Sequence, residues 1–316
     1  MRRDSRWDIV SLGEPLVEFG AVPGTRRYEL GYGGDTSNCV IAAARLGARC
    51  AYVSQVGDDE FGADLLALWR REDVCCDGVR TLEGAPTGLY FVHHGPSGHR
   101  FTYRRAGSAA SRITPDQIPG DLIRESAWLH VSGISMAISA SARKATLTAL
   151  RVAADAGVAT SFDLNHRPAL SSPAAARADA HFVLEGRPIF FVSLDEARVV
   201  LQLDTPELVV RWALDRGARA ALVKLGPQGC LVGDADRMVR CEGWRVHAVD
   251  ATGAGDCFAG ACLARLAAGD SLWAAARFAN VAAALSTRGY GAVNPLPRTA
   301  DVLEALQGDA ASGGPA

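Results

Sequence analysis

Apolar residues in this chain follow two rhythms, and their alternation predicts the fold. Short continuous apolar runs ("WDIVSLG", "CAYVSQVG", "WLHVSG", "VATSFDLN", "IFFVS" and "AALVKLG") have the length and β-branched content of strands buried on both faces. Between them, apolar residues recur at helical spacing over Thr36 to Leu46, through Leu65 to Trp69, over Ser141 to Ala156, and from Glu196 onward. Strands alternating with helices predict a mainly parallel central sheet covered on both sides, a three-layer α/β/α domain with right-handed crossovers.

Two segments break this rhythm. Leu16 to Gly33 and Thr87 to Gly107 alternate apolar and polar residues, bend at glycine-rich turns and carry no helical pattern. They read as β-ribbons that pair into a small sheet apart from the main one, serving as a lid over a site or as a subunit contact. The expected division is therefore an α/β domain of residues 1–13, 34–86 and 108–316, with a β-lid of residues 14–33 and 87–107. The tail "GDAASGGPA", from about residue 308, reads as disordered.

Composition narrows the class. A chain of 316 residues with 48% hydrophobic and 22% charged residues is long enough for a substantial core. A net charge of −2 argues against nucleic acid as a partner. No apolar run reaches the length of a membrane span, and "MRRDSRWDIV" has no apolar signal core, so a cytoplasmic protein is expected. The eight cysteines show no metal or CxxC spacing and read as reduced thiols.

The most informative stretch is "VHAVDATGAGDCFAGACLARL", Val246 to Leu266. Trp244, Val246 and Ala248 alternate like a strand ending at Asp250, and a helix begins near Gly253. Free N–H groups at a helix start bind anions, and Gly253, Ala254 and Gly255 expose backbone with almost no side chain. Asp256 follows in the same turn. An anion hole beside a carboxylate stores phosphate poorly but suits its transfer, the carboxylate accepting a hydroxyl proton. Phe258 stands where the dinucleotide fingerprint needs its third glycine, and no G-x-x-x-x-G-K-[ST] loop occurs.

"DATGAGDCFAGACLARL" resembles the C-terminal signature of the ribokinase-like carbohydrate kinases, and "GGDTSNCVIAAARLGARCAYVSQVGDDEFG" their N-terminal signature. The likeness runs from Gly13 to about Asn294. It implies Asp256 as general base, Gly253, Ala254 and Gly255 as the anion hole, and ATP with Mg²⁺ as cofactors. It also implies that Lys224, Gly226 and Gly229 meet the nucleotide and that Asn280 lies near the adenine. "GPQG" equally reads as a hairpin turn. Ser193 and Glu196 stand where the family often has Asn-x-x-Glu, with Glu196 meeting Mg²⁺ through water. Ser-x-x-Glu is also a helix capping box. Ala251 departs from the signature, which usually has Thr, Val, Ser or Pro there, so a monovalent cation near this turn stays open.

"TGLYF", "YRRAGSAAS", "FDLNHRPAL" and "GGDTSN" are most similar to the 2-keto-3-deoxygluconate kinases within the family. The likeness implies that Gly34 and Asn38 hold sugar hydroxyls, Tyr90 and Tyr103 line the pocket, and Arg105 and Arg167 meet the acid group of a sugar acid phosphorylated at C6. His166 and Arg104 each replace a common Tyr. His93, His94 and His99 read as surface or lid residues. Arginines converging on a cleft suit a carboxylate, and a neutral sugar is expected to leave them unpaired. A kinase for fructose, another sugar or a nucleoside, or a silent sugar-acid-binding protein, are the alternatives. A dimer through the ribbons is expected.

Overall fold

The computed structural model describes residues 5–95 and 98–311. Thirteen strands form two sheets. In chain order they are β1 (Trp7–Leu12), β2 (Leu16–Ala21), β3 (Tyr28–Gly33), β4 (Cys50–Gly57), β5 (Val74–Leu82), β6 (Leu89–Gly95) and β7 (Gly98–Arg104), followed by β8 (Ser126–Ser132), β9 (Ala159–Asp163), β10 (Ile189–Ser193), β11 (Ala220–Lys224), β12 (Cys230–Asp234) and β13 (Met238–Cys241).

The large sheet has the order β13-β12-β11-β10-β9-β8-β1-β4-β5. Its pairs are parallel from β5 to β11, while β12 and β13 are antiparallel. Successive strand residues point to opposite faces. Ile9, Phe191 and Leu222 therefore enter one core, with the helices Asp35–Arg45, Ala254–Ala267 and Leu272–Ser286. Val10, Phe190 and Val223 enter the other, with the helices Ala140–Ala156 and Pro206–Leu214. The three-layer reading of the sequence is borne out.

The ribbons form a separate mixed sheet, β3-β2-β6-β7, in which β2 runs antiparallel to β3 and parallel to β6. One face gathers Leu16, Tyr90, Val92 and Tyr103. The other stacks Phe19 on Phe91 at 5.3 Å between ring centroids.

One expectation fails. The segment before the glycine turn is no strand: after β13 ends at Cys241, residues 242–250 run as irregular chain. They pair with no strand among the described residues, and the N–H groups of Val249 and Asp250 both donate to the Thr287 carbonyl instead. The helix Thr299–Ala311 reaches into the segment read as a tail. Residues 312–316 lie outside the described residues. No helix among the described residues is long and apolar enough to cross a membrane.

Candidate active site

A cleft of about 1130 Å³ opens at the carboxyl ends of β9, β10 and β11, with the lid sheet along one side. Its floor is the turn from Asp250 to Asp256. The Asp250 carboxylate knits that turn together: Oδ1 accepts from the Thr252 N–H at 2.8 Å and its hydroxyl at 2.7 Å, and Oδ2 from the Gly291 N–H at 3.0 Å. Gly253 has φ +75°, which strains any side chain, and a Cβ there would lie 3.1 Å from Ala292, a crowded contact. The N–H groups of Gly255 and Asp256 have no acceptor among the described residues, which leaves them to an anion. Ala254 departs from expectation. Its N–H turns back onto the Ala251 carbonyl at 3.2 Å, and it does not line the cleft.

Asp256 lines the cleft from the first turn of the helix. Asn38 Nδ2 donates to its Oδ2 at 2.8 Å and Asn165 Nδ2 to its Oδ1 at 3.2 Å. Burial, reinforced by the nearby Asp35 charge, pushes its pKa up to about 7; the Asn38 hydrogen bond and Lys224 pull down, and Asp163 pushes up. A carboxylate so placed is matched to accepting a proton near neutrality. Asp35 Oδ1 and Asn38 Oδ1 are buried without a protein partner, two acceptors open to hydroxyl donors. Gly34 brings the backbone there: it has φ +103°, and a Cβ would lie 2.3 Å from the Glu14 carbonyl oxygen. Asp35 and Asn165 were not singled out in the sequence, although both fall inside the quoted signatures "GGDTSN" and "FDLNHRPAL".

On the lid side, Tyr90, Tyr103, Arg105 and Arg167 all line the cleft. Tyr90 and Tyr103 stack at 5.8 Å between centroids, and the Tyr90 hydroxyl donates to Glu18. Burial raises the Glu18 pKa to about 7, with Asp250 adding to the rise. Arg105 is not unpaired. Its Nη2 is bound to the buried Glu14, which the Ser108 hydroxyl also reaches at 3.1 Å, while Arg105 Nε has no partner. Arg167 is less committed: Nη1 donates to the His166 carbonyl at 3.1 Å and stands 3.9 Å from Glu196. His166 faces away, its Nε2 3.0 Å from the Ser171 carbonyl. His93 meets Tyr28 edge-on, whereas the side chains of His94 and His99 lie outside the described residues.

The opposite end holds Ser193, Glu196, Lys224 and Gly226. "GPQG" forms a 3-10 turn closing the β11–β12 hairpin, and its first three residues line the cleft. Gly229 acts differently, because its φ is +88° and a Cβ would lie 2.0 Å from the Cys241 carbonyl oxygen, so it lets β13 pass closely. Asn280 is off the cleft. It donates to the Glu242 carbonyl at 2.6 Å and anchors the irregular chain leading to the glycine turn.

Ser193 and Glu196 form the capping box, and the His166 N–H takes the other Glu196 oxygen at 3.0 Å. Both Glu196 oxygens are thus engaged, and no group of three or more potential metal ligands occurs among the described residues. Mg²⁺ there would be held by phosphate and water with Glu196 in outer contact, and would supply charge neutralisation for the phosphates.

The pfkB family carbohydrate kinase model matches residues 8–299. The chain is 36% identical to 2-dehydro-3-deoxygluconokinase of Thermoproteus tenax over 93% of each chain. It is 35% identical to fructokinase-1 of Zea mays, over 95% of this chain and 97% of that one. An E. coli protein described as a ribokinase II, solved with ATP and Mg²⁺, superposes with a TM-score of 0.86 at 26% identity, over 95% of this chain and 99% of that one. The chain belongs to the pfkB family of carbohydrate kinases, enzymes that transfer phosphate to an alcohol.

Proposed function

We propose that the protein uses ATP and Mg²⁺ to phosphorylate the C6 hydroxyl of 2-keto-3-deoxygluconate or a close sugar acid. Asp256 takes the hydroxyl proton while the N–H groups of Gly253, Gly255 and Asp256 receive the moving phosphoryl charge. A loose transition state lets the proton leave late, so a carboxylate with a pKa near 7 suffices. Asp35 and Asn38 accept hydroxyl hydrogens of the sugar, and Lys224 with the Gly226 turn meets the nucleotide. A cation beside Asp250 is not required by this reading.

One observation carries the choice of a sugar acid: Arg105 and Arg167 both line the cleft, with the Arg105 guanidinium over the Tyr103 ring. Two guanidinium edges there suit a carboxylate. The second reading is a fructokinase, favoured by Glu14, which already neutralises Arg105 and so removes part of the cost of a neutral sugar. A coupled assay with ATP, Mg²⁺, keto-deoxy acids, fructose and ribose separates them. The sugar acid is expected to exceed fructose in kcat/KM by about 100-fold, the scale set by leaving a buried charged donor unpaired. Equal rates on fructose or ribose contradict the assignment.

The outer lid face supports self-association. Tyr28 and Leu30 are each 44% exposed beside Phe19 and Phe91, an apolar patch suited to the same patch of a second copy. Sedimentation is expected to give a dimer that Leu30→Asp dissociates, and a monomeric wild-type protein contradicts it.

A further inference from the structure

We infer that Asp163 is a positioning residue: its carboxylate fixes the Lys224 ammonium beside the phosphate-binding turn, and the two act as one unit in phosphoryl transfer. This rests on the kinase reading above.

The residues end strands two places apart. Asp163 closes β9, Lys224 closes β11, and β10 lies between. Their side chains meet across it, Lys224 Nζ donating to Asp163 Oδ2 at 2.7 Å. Asp163 is off the cleft wall and only 3% exposed at its side chain, with Oδ1 buried and unpartnered. Lys224 lines the cleft, and a Cβ built on Gly255 would lie 3.1 Å from its Nζ. The ammonium is therefore held against the turn whose N–H groups stand open to an anion.

A lysine is a point charge on a flexible stem, so alone it neither keeps one position nor tolerates burial. Asp163 corrects both faults. Burial works against the Lys224 charge, and Asp163 and Glu196 outweigh it and raise its pKa. A pair serving only to tie strands together is poorly motivated here, because β9, β10 and β11 already share continuous ladders. Apolar replacements of buried ion pairs are often more stable, and a purely structural pair has no reason to present its lysine at the cleft wall.

Several charges surround the unit, among them Arg167, which faces Asp256, Glu196 and Asp35. Lys224 faces Asp163, Glu196 and Asp256; Asp163 faces Lys224, Glu196 and Asp35; Asp256 faces Asp35, Asp163 and Lys224. His130, bound to Ser161 at 2.9 Å, is held neutral by burial and by Lys224, its pKa pushed down to about 3. Asp163 makes Asp256 harder to ionise and Lys224 makes it easier, so each variant moves the acid side of the rate profile in its own direction.

Steady-state kinetics of Asp163→Asn, Lys224→Gln and the double variant test the unit with ATP, Mg²⁺ and the sugar acid. Asp163→Asn is expected to lower kcat about tenfold or more while the acceptor KM stays within about twofold, as for a displaced catalytic partner. Its acid limb moves to lower pH, that of Lys224→Gln to higher pH, and the double variant matches Lys224→Gln in kcat. Asp163→Asn with wild-type kcat and an unmoved limb overturns the inference, as does a double variant that loses the product of both single losses. If Asp163→Asn does not fold, the uncharged double variant decides by the same comparison with Lys224→Gln. Wild-type protein inactive on every acceptor refutes the kinase reading instead. The unit is then read by affinity for a non-hydrolysable ATP analogue, which falls equally in both single variants, and unchanged affinity in Asp163→Asn overturns it.

Discussion

The phosphate turn and the lid solve opposite problems by opposite means. Between Asp250 and Asp256 nearly everything is backbone: one carboxylate ties two N–H groups and a hydroxyl, glycines clear the space, and unpaired amides face the cleft. The lid works through long side chains in buried pairs, Glu14 with Arg105 and Glu18 with Tyr90. Fixed backbone dipoles need no reorganisation when charge moves, so they suit the transfer common to all acceptors. Side-chain pairs can be changed one by one, so they suit the choice of acceptor.

The largest expected break falls on the turn. Asp256→Asn is expected to lower kcat by about 100-fold or more on every acceptor, the scale of a lost general base. Stopped assays with purified variant check this. The same variant separates function from stability. The folded pKa of Asp256 lies above its ordinary 3.8, at about 7, so between those values the folded protein holds a proton the unfolded chain has released. Stability contributed by the group therefore falls as pH rises through that window. Asp256→Asn is expected to melt higher than wild type at pH above 7, and calorimetry checks it.

Next comes the lid side. Arg167→Gln is expected to lower kcat/KM for the sugar acid by about 100-fold while leaving fructose nearly unchanged, as measured on the same panel. Equal losses on both acceptors would merge the two regions into one function. In wild-type protein, kcat/KM for the acceptor is expected to fall about tenfold per pH unit on the acid side, with a midpoint near 7 set by Asp256. The smallest effect is expected for Glu18→Gln. Its carboxyl, raised to about 7 by burial, is mostly ionised at higher pH, and the amide keeps a partner for Tyr90. Rates at pH 8 are expected to stay within about threefold of wild type, measured against the acid-side profile.

The same contrast explains what the sequence disclosed. The turn was legible because its parts are contiguous and each glycine has a local reason. The two ribbons were legible as strands that pair, from their period-two alternation. Long-range pairings were not: Arg105 meets Glu14 from 91 residues away, Tyr90 meets Glu18 from 72, and Lys224 meets Asp163 from 61. No local spacing announces them, so the Glu14 partner of Arg105 could not be read from the sequence. Alternation misled at Trp244, Val246 and Ala248, because a strand also needs a neighbour to pair with. Ala254 is as small as its glycine neighbours, and only the fold reveals that its N–H is bonded to the Ala251 carbonyl.

A structure of the protein with a non-hydrolysable ATP analogue and the sugar acid tests the central claim most directly. The account predicts the terminal phosphate within hydrogen-bond reach of the Gly255 and Asp256 N–H groups, with the acceptor hydroxyl against the Asp256 carboxylate. A terminal phosphate seated away from that turn, or an acceptor hydroxyl facing another base, contradicts it.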